Sequence, residues 1–341
     1  MDLERLYAQV KNRIDRIDFS KLWKGFSPLK FALYNDSQCF YNGAYISKTD
    51  DFLANTSIFY EGEWIAIWNV QEELDPSILT SKIVHEMFHG FQNAHGESRF
   101  PDELDALYTY RYEDGNLSVK LAENQILCQL VNAFDGEQFK RLLAMRKYRS
   151  NTFAYEYHYE ACLEQIEGTA NFVELKALKQ LSNELFQKKL SSMQERIVRE
   201  AQLFPIRIIC YDVGALLLFV MSENGIAFEE GFTPVPFAES LLPAVAQENT
   251  VPVCSMQAWI DEYYDQADKI IQRAIEKNAL VSDSPAELLG VNVYNAVYYQ
   301  GYIISRYFVM FGSLENKTTE YGDFVIESKS YKKTARIYRV V

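Results

Sequence analysis

The segment His85-Glu86-Met87-Phe88-His89 constrains the fold of this 341-residue chain more than any other part of its sequence. Residues four apart in an α-helix lie one above the other, so a helix through this segment places both imidazoles on one face. The chain has only 4 histidines, and two of them fall at this spacing. Two imidazoles held in this way can bind one metal ion, with Glu86 beside them within reach of a metal-bound water. The segment therefore predicts a helix that carries a metal site.

The remainder of this helix distinguishes a metal site from two histidines packed in a core. Asp75 followed by Pro76 predicts the start of the helix, and Gly96 predicts its end. On a helical wheel the apolar residues cover one arc and both histidines fall outside it. The residues of that arc are Leu79, Ile83, Val84, Met87, Phe88 and Phe91. We therefore predict a helix over 76–95 whose histidines, His85 and His89, bind one Zn²⁺ ion.

The composition narrows the classes of partner and the compartment. Apolar residues make up 48% of the chain and charged residues 24%, which is typical of a soluble globular protein. A net charge of -13 repels nucleic acid and anionic membranes, so neither is expected as a partner. The 5 cysteines are scattered and contain no CxxC pair, which favours free thiols. No secretory signal or membrane-spanning run is evident, and we expect a cytoplasmic protein.

The hydrophobic pattern predicts a predominantly helical α+β fold in three parts. Residues 1–72 are expected to form a helix and a small mixed or antiparallel sheet, with turns at its Asn-Gly and Glu-Gly pairs. Residues 73–230 are expected to form a helical catalytic core. Residues 231–341 are expected to be helical and to end in a short strand pair, after a proline-rich connection at 229–254.

The individual helices are predicted from apolar periodicity and capping residues. In the central part they are expected over 76–95, 103–112, 117–134, 136–148, 154–181 and 183–203. In the C-terminal part they are expected over 256–278 and 294–311.

Two histidines leave a catalytic zinc short of one protein ligand, which is commonly a carboxylate. The predicted helix 154–181 carries a polar stripe formed by Glu156, Glu160, Glu164, Glu167, Asn171 and Glu174. Most of such a stripe is expected to be solvated, and only one or two members can contact the metal. Glu167 is favoured because the small residues Gly168 and Ala170 follow it and would let this helix approach the histidine helix. Glu164 is the alternative.

The combination of HEMFH with Glu167-Gly168-Thr169-Ala170-Asn171-Phe172-Val173-Glu174 resembles the glutamate zincins, or gluzincins. It is similar above all to the aminopeptidase N branch, whose HExxH motif is followed by an EGxAxxxE segment, and to bacterial predicted zinc-dependent proteases. The resemblance implies a zincin-like catalytic domain with Glu167 as the third ligand. It also implies that Glu174 or Asn171 orients a histidine. The 78 residues between His89 and Glu167 exceed the usual separation, so helices are expected to be inserted there.

A tyrosine that stabilises the transition state is a further expectation from this resemblance. The segment Tyr211-Asp212-Val213-Gly214 and the apolar residues after it resemble the YxxG segment that carries this tyrosine in the aminopeptidases. A second YxxG segment begins at Tyr298, so Tyr298 and Tyr299 are alternatives to Tyr211. A phenol at this position could stabilise the oxyanion formed when an amide carbonyl is attacked.

These observations together predict a zinc metallopeptidase with a peptide or protein substrate. Glu86 is expected to act as general base on the zinc-bound water and Tyr211 to stabilise the oxyanion. The segment 59–68 is expected to be a strand, and zincins bind an extended peptide along the edge strand that precedes the HExxH helix. Three alternatives remain. The first is a zincin-like module that binds zinc or peptide without turnover, the second is a helical interaction protein in which HEMFH is accidental, and the third is a zinc hydrolase of a non-peptide bond.

Overall fold

The N-terminal part of the chain forms a helix and a small mixed sheet. The computed structural model describes residues 2–245, 254–313 and 315–340. Helix α1 (Leu3–Ile14) is followed by β1 (Lys30–Tyr34), β2 (Cys39–Tyr41), β3 (Ala44–Ile46), β4 (Thr56–Tyr60) and β5 (Glu63–Asn69). The strand order is β3-β2-β1-β5-β4, and only the β1–β5 pair is parallel. The predicted helix and small mixed sheet are confirmed.

Two hairpins turn at the predicted pairs Asn42-Gly43 and Glu61-Gly62. All four residues have positive φ angles, from 49° to 88°, which is the conformation of the two-residue type I′ turn. The second turn divides the segment 59–68 between β4 and β5, so the prediction of one strand there is wrong. The edge strand is β4, and the strand directly before the histidine helix, β5, lies inside the sheet.

Alternation along the strands gives this sheet two apolar faces. Phe31, Leu33 and Ala66 face the main core, which they share with α1 and the histidine helix α2 (Pro76–Ala94). Ile65 and Ile67 face a smaller cluster on the other side. The main core extends through the central helices, so the N-terminal sheet and the helical region pack as one body.

Helix α2 begins where the sequence predicts. The Asp75 side chain accepts hydrogen bonds from the backbone N–H groups of Ser77 and Ile78, at 2.7 and 3.4 Å, and Pro76 occupies the first turn. At Gly90 the helix lies so close to the sheet that an added Cβ would lie 3.4 Å from Trp64 Cβ of β5 and 3.5 Å from Ser57 Cβ of β4. This close contact fixes the histidine helix against β4 and β5.

The helices predicted between residues 103 and 203 are confirmed apart from a few residues at their ends, and two further helices follow them. Those before the carboxylate stripe are α3 (Glu103–Thr109), α4 (Asp114–Asn132) and α5 (Gly136–Thr152). The stripe itself lies on α6 (Ala154–Leu163), a π-helical turn (Glu164–Gly168) and α7 (Thr169–Leu181). They are followed by α8 (Asn183–Ile197), α9 (Ile206–Glu223) and the short α10 (Phe237–Ser240). The predicted helix 154–181 is thus continuous but contains a π turn.

The C-terminal part contains one long helix, α11 (Gln257–Lys277), and an eight-stranded sheet. The strands are β6 (Leu280–Ser282), β7 (Ala286–Val291), β8 (Val297–Tyr299), β9 (Tyr302–Ser305), β10 (Phe308–Gly312), β11 (Lys317–Tyr321), β12 (Phe324–Ser330) and β13 (Lys333–Arg339). Helix α11 confirms the prediction at 256–278, and β12 and β13 are the predicted strand pair. Part of the predicted connection 229–254, including Pro252, lies outside the described residues.

The predicted helix over 294–311 is wrong, and so is the predominantly helical character expected for 231–341. Gln300 and Gly301 have φ angles of 47° and 85° and form a type I′ turn between β8 and β9, with Tyr299 opposite Tyr302. The second YxxG segment, which begins at Tyr298, therefore forms a hairpin and not a helix. The β-branched and aromatic residues on both sides of the turn favour strands.

The C-terminal sheet is covered on both faces. Helix α11 packs on one face through Ala267, Ile271 and Ala274. Helix α3 packs on the other face, where Leu104 and Leu107 contact its buried residues. Since α3 follows the histidine helix closely in sequence, this packing brings the sheet next to the candidate site.

Candidate metal centre

His85, His89 and Glu167 converge on one point between α2 and the π turn. The two Nε2 atoms are 3.0 Å apart, and Glu167 Oε2 lies 3.8 Å from Nε2 of His85 and 3.4 Å from Nε2 of His89. Within the described part of the chain, this is the one group of three His, Cys, Asp or Glu residues whose ligand atoms lie mutually within 4.8 Å. The structure thus brings together the three residues that the sequence and the resemblance select.

The spacing of these three atoms matches the size of a zinc ion. Zinc lies about 2.0–2.1 Å from its nitrogen and oxygen ligands, and a tetrahedral arrangement then separates neighbouring ligand atoms by about 3.3 Å. The observed separations, 3.0, 3.4 and 3.8 Å, bracket that value. Three protein ligands leave a fourth position open, as catalytic zinc sites do.

The hydrogen bonds of Gln92 determine which nitrogen of His89 is free. The Gln92 side-chain amide donates to Ile166 O and to Thr169 Oγ1, both at 3.0 Å. Its oxygen can only accept, and it lies 2.8 Å from His89 Nδ1, which must therefore carry the hydrogen. Nε2 of neutral His89 is left with its lone pair directed at the convergence point.

Glu174 lies beside Nδ1 of His85, as Gln92 lies beside Nδ1 of His89. Its Oε2 atom lies 3.5 Å from His85 Nδ1, and its other oxygen pairs with Lys189. Burial alone would raise the pKa of Glu174, but Lys189 and His85 hold that pKa well below its usual range. The carboxylate is therefore charged and favours a hydrogen on Nδ1, which frees Nε2 of His85 as well. Glu174 is thus placed to orient a histidine, as the resemblance implies.

Two lone pairs directed at each other across 3.0 Å repel unless a cation lies between them. The surrounding charges favour a cation at this position. Burial alone would lower the pKa of His89, but the carboxylate of Glu167 raises that pKa to about 9. Burial would likewise raise the pKa of Glu167, but His89, His85 and Arg207 lower it to about 2. A proton can satisfy this arrangement, and so can a divalent metal ion. The donor set therefore fits zinc.

Glu86 lies beside this point and is available for proton transfer. It is buried, with 9% of its surface exposed, and it lines the cleft in front of the histidines. Burial raises the pKa of its carboxyl group above the usual value. No ion pair or hydrogen bond of the described residues engages its carboxylate, so a proton can be taken up there at little cost.

The π turn explains why Glu167 reaches the histidines and Glu164 does not. The extra residue of a π turn shifts the faces of the helix, and such turns are frequent at functional sites. Glu164 is fully buried on the other side, paired with Arg146 and 3.4 Å from Lys120. Glu164, the alternative ligand, therefore lies in a separate charge cluster.

This cluster contains two members of the carboxylate stripe, Glu160 and Glu164. Glu160 pairs with Lys120 at 2.8 Å and with Arg149, while Glu123 lies 3.1 Å from Arg149. Together with Glu164 and Arg146, six buried charges balance to zero among α4, α5, α6 and the π turn. The expectation of a solvated stripe is wrong, because opposite charges on neighbouring helices neutralise it.

Gly168 permits a close approach, but to a different helix from the one expected. A Cβ on Gly168 would lie 2.8 Å from Gly214 Cα, and a Cβ on Gly214 would lie 2.8 Å from the backbone oxygen of Glu164. At Gly168 the π turn thus packs directly on α9. This contact fixes α9, which carries Arg207 and Tyr211, relative to Glu167.

Tyr211 lines the cleft together with the histidines and Glu167. Its hydroxyl is buried and has no hydrogen-bond partner among the described residues, and burial raises its pKa far above the usual value. The Arg207 guanidinium lies 5.4 Å from the Tyr211 ring, pairs with Glu103, and approaches Glu167 Oε1 to 3.4 Å. Tyr211 therefore places a buried hydroxyl beside the cleft, close to Tyr294, which lines the same cleft.

The two alternative tyrosines lie elsewhere, on β8 of the C-terminal sheet. Tyr298 packs on Tyr108 with ring centres 5.0 Å apart, and Tyr299 stacks on Tyr264 at the same distance. Neither lines the cleft that contains the histidines. Of the three candidates, the structure brings only Tyr211 to the cleft that contains His85, His89 and Glu167.

The cleft has a volume of about 630 Å³, and the edge strand β4 borders it. Asn55, Thr56 and Ser57 line one side, and Tyr294, from the segment before β8, lines another. The unpaired edge of β4 offers backbone N–H and C=O groups to an extended chain. The cleft therefore has walls from the N-terminal, central and C-terminal parts.

Sequence reasoning missed Gln92, Lys189, Arg207 and Glu103. Two of them carried a usable signal: Gln92 follows His89 by three positions and Arg207 precedes Tyr211 by four, so each shares a helix face with a predicted site residue. Lys189 and Glu103 are brought in by tertiary packing of other helices, and no local pattern marks them.

Comparison of the chain with models of known protein families, with curated proteins and with solved structures gives no match. The five cysteines carry free thiols, as expected. Within residues 2–245, 254–313 and 315–340, no helix combines the length and apolar character needed to cross a bilayer.

Proposed function

We propose that this chain is a zinc-dependent metallohydrolase, most specifically a peptidase, with a gluzincin-like arrangement of His85, His89 and Glu167. One observation carries the proposal. Two imidazoles whose free nitrogens are set by Gln92 and Glu174 point at a carboxylate oxygen with the spacing of zinc ligands, at the edge of an open cleft.

Bound zinc would polarise a substrate carbonyl and lower the pKa of a water molecule. Glu86 provides the base that such a reaction requires, because its carboxylate is adjacent to the ligands, buried and free of ion pairs. It takes a proton from the attacking water and then delivers it to the departing amine. A glutamine at this position retains the size and polarity of the side chain but cannot carry the proton.

Tyr211 contributes the stabilisation of negative charge on the attacked oxygen. Its buried hydroxyl has no partner among the described residues and faces the same cleft as Glu86. A donor that is already desolvated and held in place costs little reorganisation when charge develops. Arg207 keeps the phenol in position through the contact between its guanidinium and the ring.

A peptide fits the cleft better than a compact substrate. The edge of β4 borders the metal site, and an extended peptide can add to this edge through backbone hydrogen bonds. The cleft, at about 630 Å³, is large enough for several residues. A module that binds peptide without turnover would not require the free carboxylate of Glu86.

The direct test compares wild-type protein with Glu86→Gln on a peptide library, with cleavage read by mass spectrometry and zinc by elemental analysis. Glu72→Gln, an exposed glutamate in the loop before α2, is the matched control. We expect one zinc per chain in all three proteins, cleavage by wild type and Glu72→Gln, and a loss of at least about 100-fold in Glu86→Gln. Full activity of Glu86→Gln would contradict the mechanism, and cleavage by none of the three would contradict the proposed peptidase.

A further inference from the structure

A second cavity, of about 370 Å³, adjoins the metal cleft. Its walls come from α3 and the residues after it, the start of α9, helix α11, and residues 293–298 at β8. Glu103 and Arg207 line both cavities and pair with each other, so they form the boundary between them. The C-terminal sheet thus closes a pocket directly beside the candidate site.

Seven tyrosines line this cavity, which we name the tyrosine pocket. Several of their hydroxyls are engaged by the protein. Tyr110 donates to Glu160 and Tyr159 donates to Glu103, each at 2.8 Å, while the Tyr112 hydroxyl accepts a hydrogen bond from the first backbone N–H of α9 at 3.2 Å. Three of the seven hydroxyls are thus occupied, and the walls combine aromatic ring surface with polar groups in similar share. Leu107 and Val293 add aliphatic surface.

The formal charges on the lining cancel. Glu103 pairs with Arg207, and Arg111 lies 3.8 Å from Glu113 at the pocket's exposed side. A cationic side chain would gain from the aromatic rings but would gain nothing from the lining charges, because each glutamate there is already paired with an arginine, whereas a neutral ring meets complementary aromatic edges and faces. The lining therefore favours a neutral aromatic group over lysine or arginine.

The position of Arg207 links this pocket to the reaction. Its guanidinium lines the tyrosine pocket and approaches the ligand Glu167 to 3.4 Å. The Glu103–Arg207 pair therefore lies between a chain held at the metal and the pocket. A volume of about 370 Å³ lies at the small end of the range for ligand sites, which suits a single large side chain rather than a cofactor.

We propose that the tyrosine pocket binds a phenylalanine or tyrosine side chain of the substrate next to the bond that is cleaved. The effect of this pocket on cleavage rests on the proposed peptidase function, but binding of the aromatic group does not depend on turnover. It is therefore testable both with and without catalysis.

Binding is tested first, with N-acetyl-4-fluorophenylalanine amide as the probe and ¹⁹F NMR line broadening as the readout. Val293→Trp and Leu107→Trp fill the pocket from opposite walls, and Val235→Trp, which is 46% exposed and lines neither cavity, is the control. We expect broadening with wild type and Val235→Trp, a loss of about tenfold or more in affinity in both filled variants, and displacement by N-acetyl-tyrosinamide. Circular dichroism establishes that each variant is folded.

No broadening with wild type, or equal broadening in the two filled variants, would overturn the proposal. Stronger displacement by N-acetyl-lysinamide than by N-acetyl-tyrosinamide would overturn the aromatic assignment.

Cleavage is tested next, with a peptide library in which one position beside the scissile bond is varied. We expect wild type to prefer phenylalanine or tyrosine over alanine by about tenfold or more, and Val293→Trp to lose this preference. Cleavage without an aromatic preference would refute the role of the pocket and leave the peptidase standing. Probe binding that Val293→Trp abolishes, in a protein that cleaves no peptide, would support the pocket and refute the peptidase.

Discussion

Replacement of Gln92 by methionine tests whether the hydrogen bonds behind the ligands set the metal affinity. Methionine has nearly the same length and shape as glutamine but can neither accept from His89 Nδ1 nor donate to Ile166 and Thr169. Gln92 is 1% exposed, so water cannot replace these groups without rearrangement. The ligands themselves remain unchanged in this variant.

Two magnitudes follow from the contacts. Loss of the group that fixes a ligating histidine typically costs 10- to 100-fold in metal affinity, or about 1.4–2.7 kcal/mol. Gln92 makes three hydrogen bonds, and at about 1 kcal/mol each their loss lowers the free energy of unfolding of the metal-free protein by about 3 kcal/mol. The two effects are separable, because affinity is measured on the folded fraction.

The assay is zinc titration in competition with a chromophoric chelator, together with urea unfolding of the metal-free protein. Asn124→Leu is the control, since Asn124 is also a fully buried amide, bonded to the Ile197 carbonyl far from the ligands in sequence. We expect weaker zinc binding in Gln92→Met and unchanged binding in Asn124→Leu. Zinc affinity of Gln92→Met within about twofold of wild type would refute the orienting role of Gln92.

Three further predictions concern packing, buried charge and the metal itself. Gly214→Ala should lower the free energy of unfolding by about 1–3 kcal/mol and reduce activity, because its Cβ would lie 2.8 Å from a backbone oxygen of the π turn. Gly136→Ala is the control and should change neither quantity, because the space around Gly136 is open. Glu160→Gln should cost about 3–5 kcal/mol in urea unfolding, since it leaves Lys120 and Arg149 buried without their shared partner. Removal of zinc by EDTA should lower the melting temperature, and free zinc at 100 times Kd should restore about 2.7 kcal/mol of stability, measured by calorimetry.

The parts of the fold that follow local rules could be predicted from the sequence. The histidine helix has a capping aspartate, a proline in its first turn and a one-sided apolar arc, and it spans Pro76–Ala94 against the predicted 76–95. The type I′ turns of the N-terminal sheet follow from Asn-Gly and Glu-Gly pairs. Each of these signals acts over a few residues.

The C-terminal sheet could not be predicted in the same way. Segment 294–311 contains glycine, tyrosine and apolar residues whose spacing suits a helix face as well as alternating strands. Tertiary packing determines that this segment forms strands. Ile303 and Ile304 point to opposite faces of the sheet, Ile303 toward α3 and Ile304 toward α11. A pattern that is apolar on both faces of a buried sheet loses the period of two that marks a strand.

Within the candidate site, spacing along one helix identified His85, Glu86 and His89, while Glu167 was selected by small neighbours and by a family resemblance. The structure supplies a different reason for that position. A π turn rotates Glu167 toward the histidines and leaves Glu164 with Arg146. A π turn has no reliable sequence signature, and the buried charge cluster depends on which helices pack together.

Zinc content measured by elemental analysis on protein purified without added metal tests the central claim most directly. We predict one zinc per wild-type chain and less than about one tenth of that in His85→Ala, His89→Ala and Glu167→Ala, with Glu164→Ala retaining zinc wherever it folds. Wild-type protein without stoichiometric zinc, even after incubation with zinc and dialysis, would contradict the assignment of His85, His89 and Glu167 as a metal centre.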